Sequence, residues 1–137
     1  EIDNRRREVT VTEVDAASRN ILNNPVRAFD FLGSEYVPTL VSEAGGRAVL
    51  AHPGVTLRGE RDFARALARL MDEGLDGVEC YYPTHSRDVR EICLSLCRRR
   101  GALVTAGSDC HGSFQDTHIG QTKTDMGDIS LELFGVT

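Results

Sequence analysis

The sequence predicts an α/β fold in which parallel strands are joined by helical crossovers. Three observations carry this reading. Short apolar runs begin near residues 48, 76 and 102. Between them lie the stretches 60–73 and 86–100, whose apolar residues recur at helical spacing. Parallel neighbours need a long connection of this kind, so the strand–helix–strand–helix–strand order points to a parallel sheet.

Two units follow, a helical flanking segment over 1–46 and a βαβαβ unit over 47–137. In the first, Thr12 to Asn23 reads as a helix with Val14, Ala17, Ile21 and Leu22 inward. Pro25 suits the first turn of a short helix through Leu32, ended by Gly33. Tyr36-Val37-Pro38 reads as an extended link, and Thr39 to Ala44 as one or two helical turns closed by Gly45-Gly46.

In the second unit, Arg47 to Ala51 reads as a buried strand. The helix over 60–73 turns Phe63, Ala66, Leu67, Leu70 and Met71 to one side and stops at Gly74. Asp76 to Tyr81 is the second strand, which Pro83 prevents from continuing. Ser86 is an N-cap and Gly101 a C-cap for a helix whose inner stripe is Val89, Ile92, Cys93, Leu96 and Cys97. Ala102 to Ala106 is the third strand. Ile119 to Lys123 reads as a short strand or an ordered loop, and Asp128 to Phe134 as a terminal helix.

The chain has 137 residues, enough for one domain with a core, and 40% of them are apolar. Its net charge of −5 argues against a stable nucleic-acid complex. No apolar run has the length of a membrane span and no signal peptide opens the chain, so a cytoplasmic setting is expected. Four Cys do not form a disulfide framework in so regular a pattern. The chain starts at Glu1 rather than Met, as expected of a piece of something longer.

Sites in parallel sheets form at the carboxyl ends of the strands. Three strands here end in groups suited to metals or phosphate: His52 after the first, Glu79 and His85 at the second, Asp109 and His111 after the third. An acid and an imidazole two residues apart on extended backbone point the same way. Both bind Zn²⁺, Mn²⁺ or iron, and Gly112 lets the chain turn away. Standing alone, His52 would read as a cap before a turn proline, and Asp109 as a turn former. Their arrival at one edge makes them ligands. Glu79 has a competing reading, a carboxylate binding backbone amides or an Arg. His85 precedes a helix N-terminus, where backbone N–H groups favour an anion; a solvated loop histidine is the other reading. Cys93 and Cys97 lie on the packing stripe and read as core. His118 reads as a loop residue with an outer-shell role open to it. The chain has neither a phosphate-binding Gly-rich loop nor a nucleophile elbow.

Three stretches, Ala44–Gly54, Leu75–His85 and Leu103–Gly112, resemble in order and spacing the later motifs of the PHP (polymerase and histidinol phosphatase) family. The nearest branch is that of nucleoside bisphosphate phosphatases and 5′-exonucleases. The resemblance implies a (β/α)₇ barrel, here partial and lacking its N-terminal half. It implies a cluster of divalent metals (Mn²⁺, Zn²⁺ or Fe²⁺) and hydrolysis of phosphate esters on nucleotides or oligonucleotides. Carried over by motif, His52, Asp109 and His111 match metal ligands, and His85 matches a contact to the substrate phosphate.

The family opens with His-x-His and further acidic ligands. This chain has no His-x-His, and its first histidine is His52. The link between 36–38 and 44–46 also looks short against the family pattern. The metal site is therefore expected to be incomplete and the chain alone inactive or nearly so. An unpaired sheet edge is expected, with self-association, a missing N-terminal part or rearranged flanking helices to cover it. Two other classes stay open: a non-catalytic PHP-like interaction module, and an amidohydrolase-type barrel hydrolase.

Overall fold

The computed structural model describes residues 36–134. The expected helices over 12–23 and 25–32 lie outside this range. Helix α1 (Tyr36–Glu43) leads to strand β1 (Val49–Leu50) and a one-turn helix α2 (Pro53–Thr56). Then come α3 (Phe63–Asp72), β2 (Gly77–Tyr81), α4 (Arg87–Arg100) and β3 (Leu103–Ala106). Three short 3₁₀ turns follow, at Gly112–Phe114, Met126–Asp128 and Leu131–Phe134.

The strands form one parallel sheet in the order β1-β2-β3, as the crossover pattern predicts. Val49 pairs with Gly77 and Leu50 with Val78. Gly77, Val78 and Glu79 pair with Leu103, Val104 and Thr105, after which Tyr81 pairs with Ala106. The shift leaves Cys80 as an extra residue. Such a bulge re-aims the side chains that follow it, here Tyr81 and Tyr82 at the site.

Local sequence explains both long helices. The Asp62 carboxylate accepts the Arg65 N–H at 3.0 Å and starts α3. The Ser86 hydroxyl accepts the Val89 N–H at 3.2 Å and starts α4. Asp88 in the first turn of α4 and Arg98, Arg99 and Arg100 in its last complement the helix dipole. Gly101 ends α4 at φ 63°, a left-handed conformation in which a Cβ is unfavourable. Arg100 also ties α4 to Asp72 of α3 by an ion pair, which holds the Asp72 carboxyl below its usual range.

The core lies between the sheet and these two helices. Leu50, Val78 and Cys80 of the strands meet Leu67, Leu70 and Met71 of α3 and Cys93, Leu96 and Cys97 of α4. Cys80 and Cys97 pack with their Sγ atoms 3.8 Å apart, and all four thiols are free. Asp76 locks the start of β2 to β1: it accepts the Ala48 N–H at 2.7 Å and pairs with Arg47 at 3.1 Å. β3 is half-buried along its whole length. Its outer edge is not bare. Ser130 donates its N–H to the Val104 carbonyl at 2.9 Å and accepts the Val104 N–H on its hydroxyl at 2.8 Å.

Two local expectations are corrected. Tyr36-Val37-Pro38 is the first turn of α1, not an extended link; a proline is tolerated there because first-turn N–H groups have no intrahelical partner. Ile119 to Lys123 takes the loop alternative of its reading, with turns over 119–122. The terminal segment forms two 3₁₀ turns, separated where Ser130 leaves helical geometry to bond β3. Among the described residues, no helix is long and apolar enough to cross a membrane.

Candidate functional site

The polar strand ends meet around Tyr82. Its ring lies 5.5 Å from that of His52 and 5.3 Å from that of His85, centroid to centroid. Burial, then the charges of Asp109 and Glu79, raise its phenol above the ordinary tyrosine range. His52, Glu79, Tyr82, His85 and Asp109 thus share one edge of the sheet.

His52 follows β1 with a left-handed backbone (φ 31°) and caps α2. Its N–H donates to Glu79 Oε2 at 2.6 Å. The Thr56 hydroxyl donates to the Ala51 carbonyl at 3.1 Å, so its oxygen is left to accept from His52 Nδ1 at 3.2 Å. This pairing selects the Nδ1–H tautomer and leaves the Nε2 lone pair available. A metal-binding histidine is oriented in the same manner. Thr56 escaped sequence reasoning because α2 did; its signal is the i+4 spacing from His52.

Asp109 also has a left-handed backbone (φ 51°). The extended Asp-x-His geometry expected from sequence is therefore corrected: β3 stops at Ala106 and the chain turns through Asp109. The two side chains still meet, with His111 Nε2 donating to Asp109 Oδ1 at 3.0 Å. Both are exposed.

His85 is a brace between elements. Its Nε2 accepts the Gly54 N–H at 3.1 Å, and its Nδ1–H donates to the Cys80 carbonyl at 3.0 Å. Gly54 permits this approach, since a Cβ there would stand 2.7 Å from the imidazole. Glu79 acts as the amide-binding carboxylate its competing reading describes. His118 is an exposed loop residue bonded through its backbone to Gln121. Cys80 belongs to the core, and Cys110 is exposed.

Among the described residues, two cavities open at this edge. One of about 480 Å³ is lined by Ser108, Asp109, Cys110, Ile119, Thr122 and Thr124, among others. A smaller one, of about 140 Å³, lies against Tyr82 and His85.

No family model matches the chain. Over 95 residues it is 36% identical to phosphoribosyl 1,2-cyclic phosphate 1,2-diphosphodiesterase of Eggerthella lenta, a match covering 69% of this chain and 34% of that protein. A crystal structure from Bifidobacterium adolescentis, assigned as a metal-dependent phosphoesterase, superposes with a TM-score of 0.59 at 26% identity, over 82% of this chain and 46% of that one. Both matches support a PHP-like phosphoesterase, and their partial coverage fits a resemblance to one portion of such proteins. The chain spans about a third of the length of the curated relative it matches.

The solved relative is described as metal-dependent, which sets the donor set of this chain against a divalent ion. Imidazole and carboxylate are the right donor types. Their number falls short: among the described residues, no group of three or more His, Cys, Asp or Glu could hold a metal ion. Asp109 and His111 are turned on each other instead. The described residues do not fit a complete metal shell by themselves.

Proposed function

We propose that this chain is part of a divalent-metal-dependent phosphoesterase that hydrolyses phosphate esters of nucleotide or oligonucleotide type. It contributes the C-terminal part of a PHP-type (β/α)₇ barrel. His52, Asp109 and His111 are its share of the metal ligands, and His85 borders the substrate phosphate. Alone, the chain is inactive or nearly so, because bridging carboxylates are missing from the set it offers.

The observation that carries this reading is backbone strain. Only three non-glycine residues among those described have positive φ, namely His52, Asp109 and Lys123. Two of them are proposed ligands at the ends of β1 and β3. Strain of order 1–3 kcal/mol per residue collects where function requires a side chain to be aimed. His85 can serve a phosphate by exchanging the Gly54 N–H for a phosphate oxygen, which requires a proton on Nε2.

The test is Mn²⁺ titration of the purified chain, with metal analysis of the chain as isolated, beside a panel of phosphate esters, amides and lactones. Saturable Mn²⁺ binding lost in Asp109→Asn, with phosphate-ester turnover far below about 1 s⁻¹, is the expected result. Turnover at or above that rate, abolished by Asp109→Asn, would refute inactivity of the lone chain. Hydrolysis of amides or lactones alone would move the protein to the amidohydrolase class.

A second reading, a non-catalytic interaction module, is favoured by three apolar side chains on the segment after β3. Phe114 is 91% exposed, Ile119 89% and Met126 62%. That reading predicts no saturable metal binding and no effect of chelator on folding.

A further inference from the structure

The smaller cavity has a chemistry that the proposed ligands do not account for. Its wall includes Tyr81, Tyr82, His85, Arg90, Gln121 and Thr122. Arg90 is half-buried in the second turn of α4. Among the described residues its guanidinium makes no ion pair. The lining contains no carboxylate. Glu91 and Asp128 lie near enough to act, like Arg90, on the Tyr81 phenol, but neither lines the cavity.

A guanidinium keeps its charge and offers only donors, in a planar fork that matches an oxyanion. Around it stand the Tyr82 phenol, the Gln121 amide and the Thr122 hydroxyl, each able to donate a further bond. In this structure the His85 ring is bonded to Gly54 and Cys80, so Arg90 is the fixed charge of the cavity, and His85 joins it at an anion only by giving up the Gly54 N–H. Thr122 also lines the larger cavity that holds Asp109, which places an anion bound by Arg90 beside the metal-ligand edge.

We infer that Arg90 is a substrate-binding residue, holding an oxyanion in a cavity it shares with Tyr82, Gln121 and Thr122. The anion is a phosphoryl group of the ester substrate. Its identity rests on the phosphoesterase reading; its binding does not.

The test is titration of the 137-residue chain with inorganic phosphate, against chloride at matched ionic strength, followed by amide NMR. Saturable shifts centred on Arg90, Tyr82, Gln121 and Thr122 are expected. Kd is expected to rise at least tenfold in Arg90→Met and by less in Arg90→Lys, with circular dichroism showing each variant folded. Should Arg90→Met not fold, Arg90→Lys carries the test, since an ammonium cannot reproduce the fork. Shifts that fail to saturate, centre elsewhere or survive the Arg90 change would overturn the assignment. Failure of the phosphoesterase reading shows differently, as phosphate binding that depends on Arg90 in a chain that binds no Mn²⁺.

Discussion

The His52 backbone N–H is bonded to the Glu79 carboxylate, so a side chain on β2 holds the residue that ends β1. The other carboxylate oxygen of Glu79 faces Gly107, just past β3. One acid therefore bonds the end of β1 from β2 and lies against the end of β3. It is a scaffold for the site and not one of its proposed ligands.

Replacing that acid tests the scaffold. Glu79→Ala leaves the His52 N–H without its partner, and the expected loss is about 1–3 kcal/mol in a urea titration. Glu79→Gln keeps an acceptor oxygen and costs less. Equal stability of Glu79→Ala and the parent chain would show that the bond contributes nothing.

Gly107→Ala attacks the same contact from the other side. A Cβ at 107 would overlap Glu79 Oε1, and the carboxylate cannot yield without releasing His52. The substitution should destabilise the parent chain yet be close to neutral in the Glu79→Ala background. The coupling is read from a double-mutant cycle, where additive losses would contradict it.

Thr56→Val removes the oxygen that accepts from His52 Nδ1. Imidazole ¹⁵N shifts should report the Nδ1–H form in the parent chain and a mixture of tautomers in the variant. With His52 as a proposed ligand, Mn²⁺ affinity should fall about 10- to 100-fold, as when a partner behind a metal ligand is lost. An unchanged tautomer would show that Thr56 does not orient the ring.

Leu67 is wholly buried between α3 and the rest of the core. Leu67→Ala should cost about 2–5 kcal/mol, lost methyl contacts and residual cavity together, measured as a lowered urea midpoint. A loss under about 1 kcal/mol would place the core elsewhere.

Alkaline pH should loosen the fold. Hydrogen bonding to Cys93 and Cys97, together with burial, pushes the Cys80 thiol far above its ordinary range; the same contact lowers the Cys97 thiol, a smaller shift of opposite sign. Burial, then the charge of Asp128, raises the Tyr81 phenol. The folded chain then keeps protons that the unfolded chain releases above about pH 8.5 for the thiol and about 10 for the phenol. Stability from these groups is full below those values and falls as pH rises past them. Urea midpoints should drop between about pH 8.5 and 11, with the upper part of the drop reduced in Tyr81→Phe. A flat profile would contradict both shifts.

The sequence by itself determined the three strands, the two long helices between them and their order. Helical spacing marked Leu67, Leu70, Met71, Cys93, Leu96 and Cys97 as inward, and all six are buried. Ser86 and Gly101 marked the ends of α4, because caps act through bonds to neighbouring residues. The same locality made His52, Glu79, His85, Asp109 and His111 legible as strand-end groups. Only the tertiary structure decided what each of them does. The bulge at Cys80, the brace of His85 on Gly54 and the hold of Glu79 on His52 join residues about thirty positions apart or depend on a neighbouring strand. Sequence periodicity reports which face a residue occupies; it carries no information about the partner that waits there.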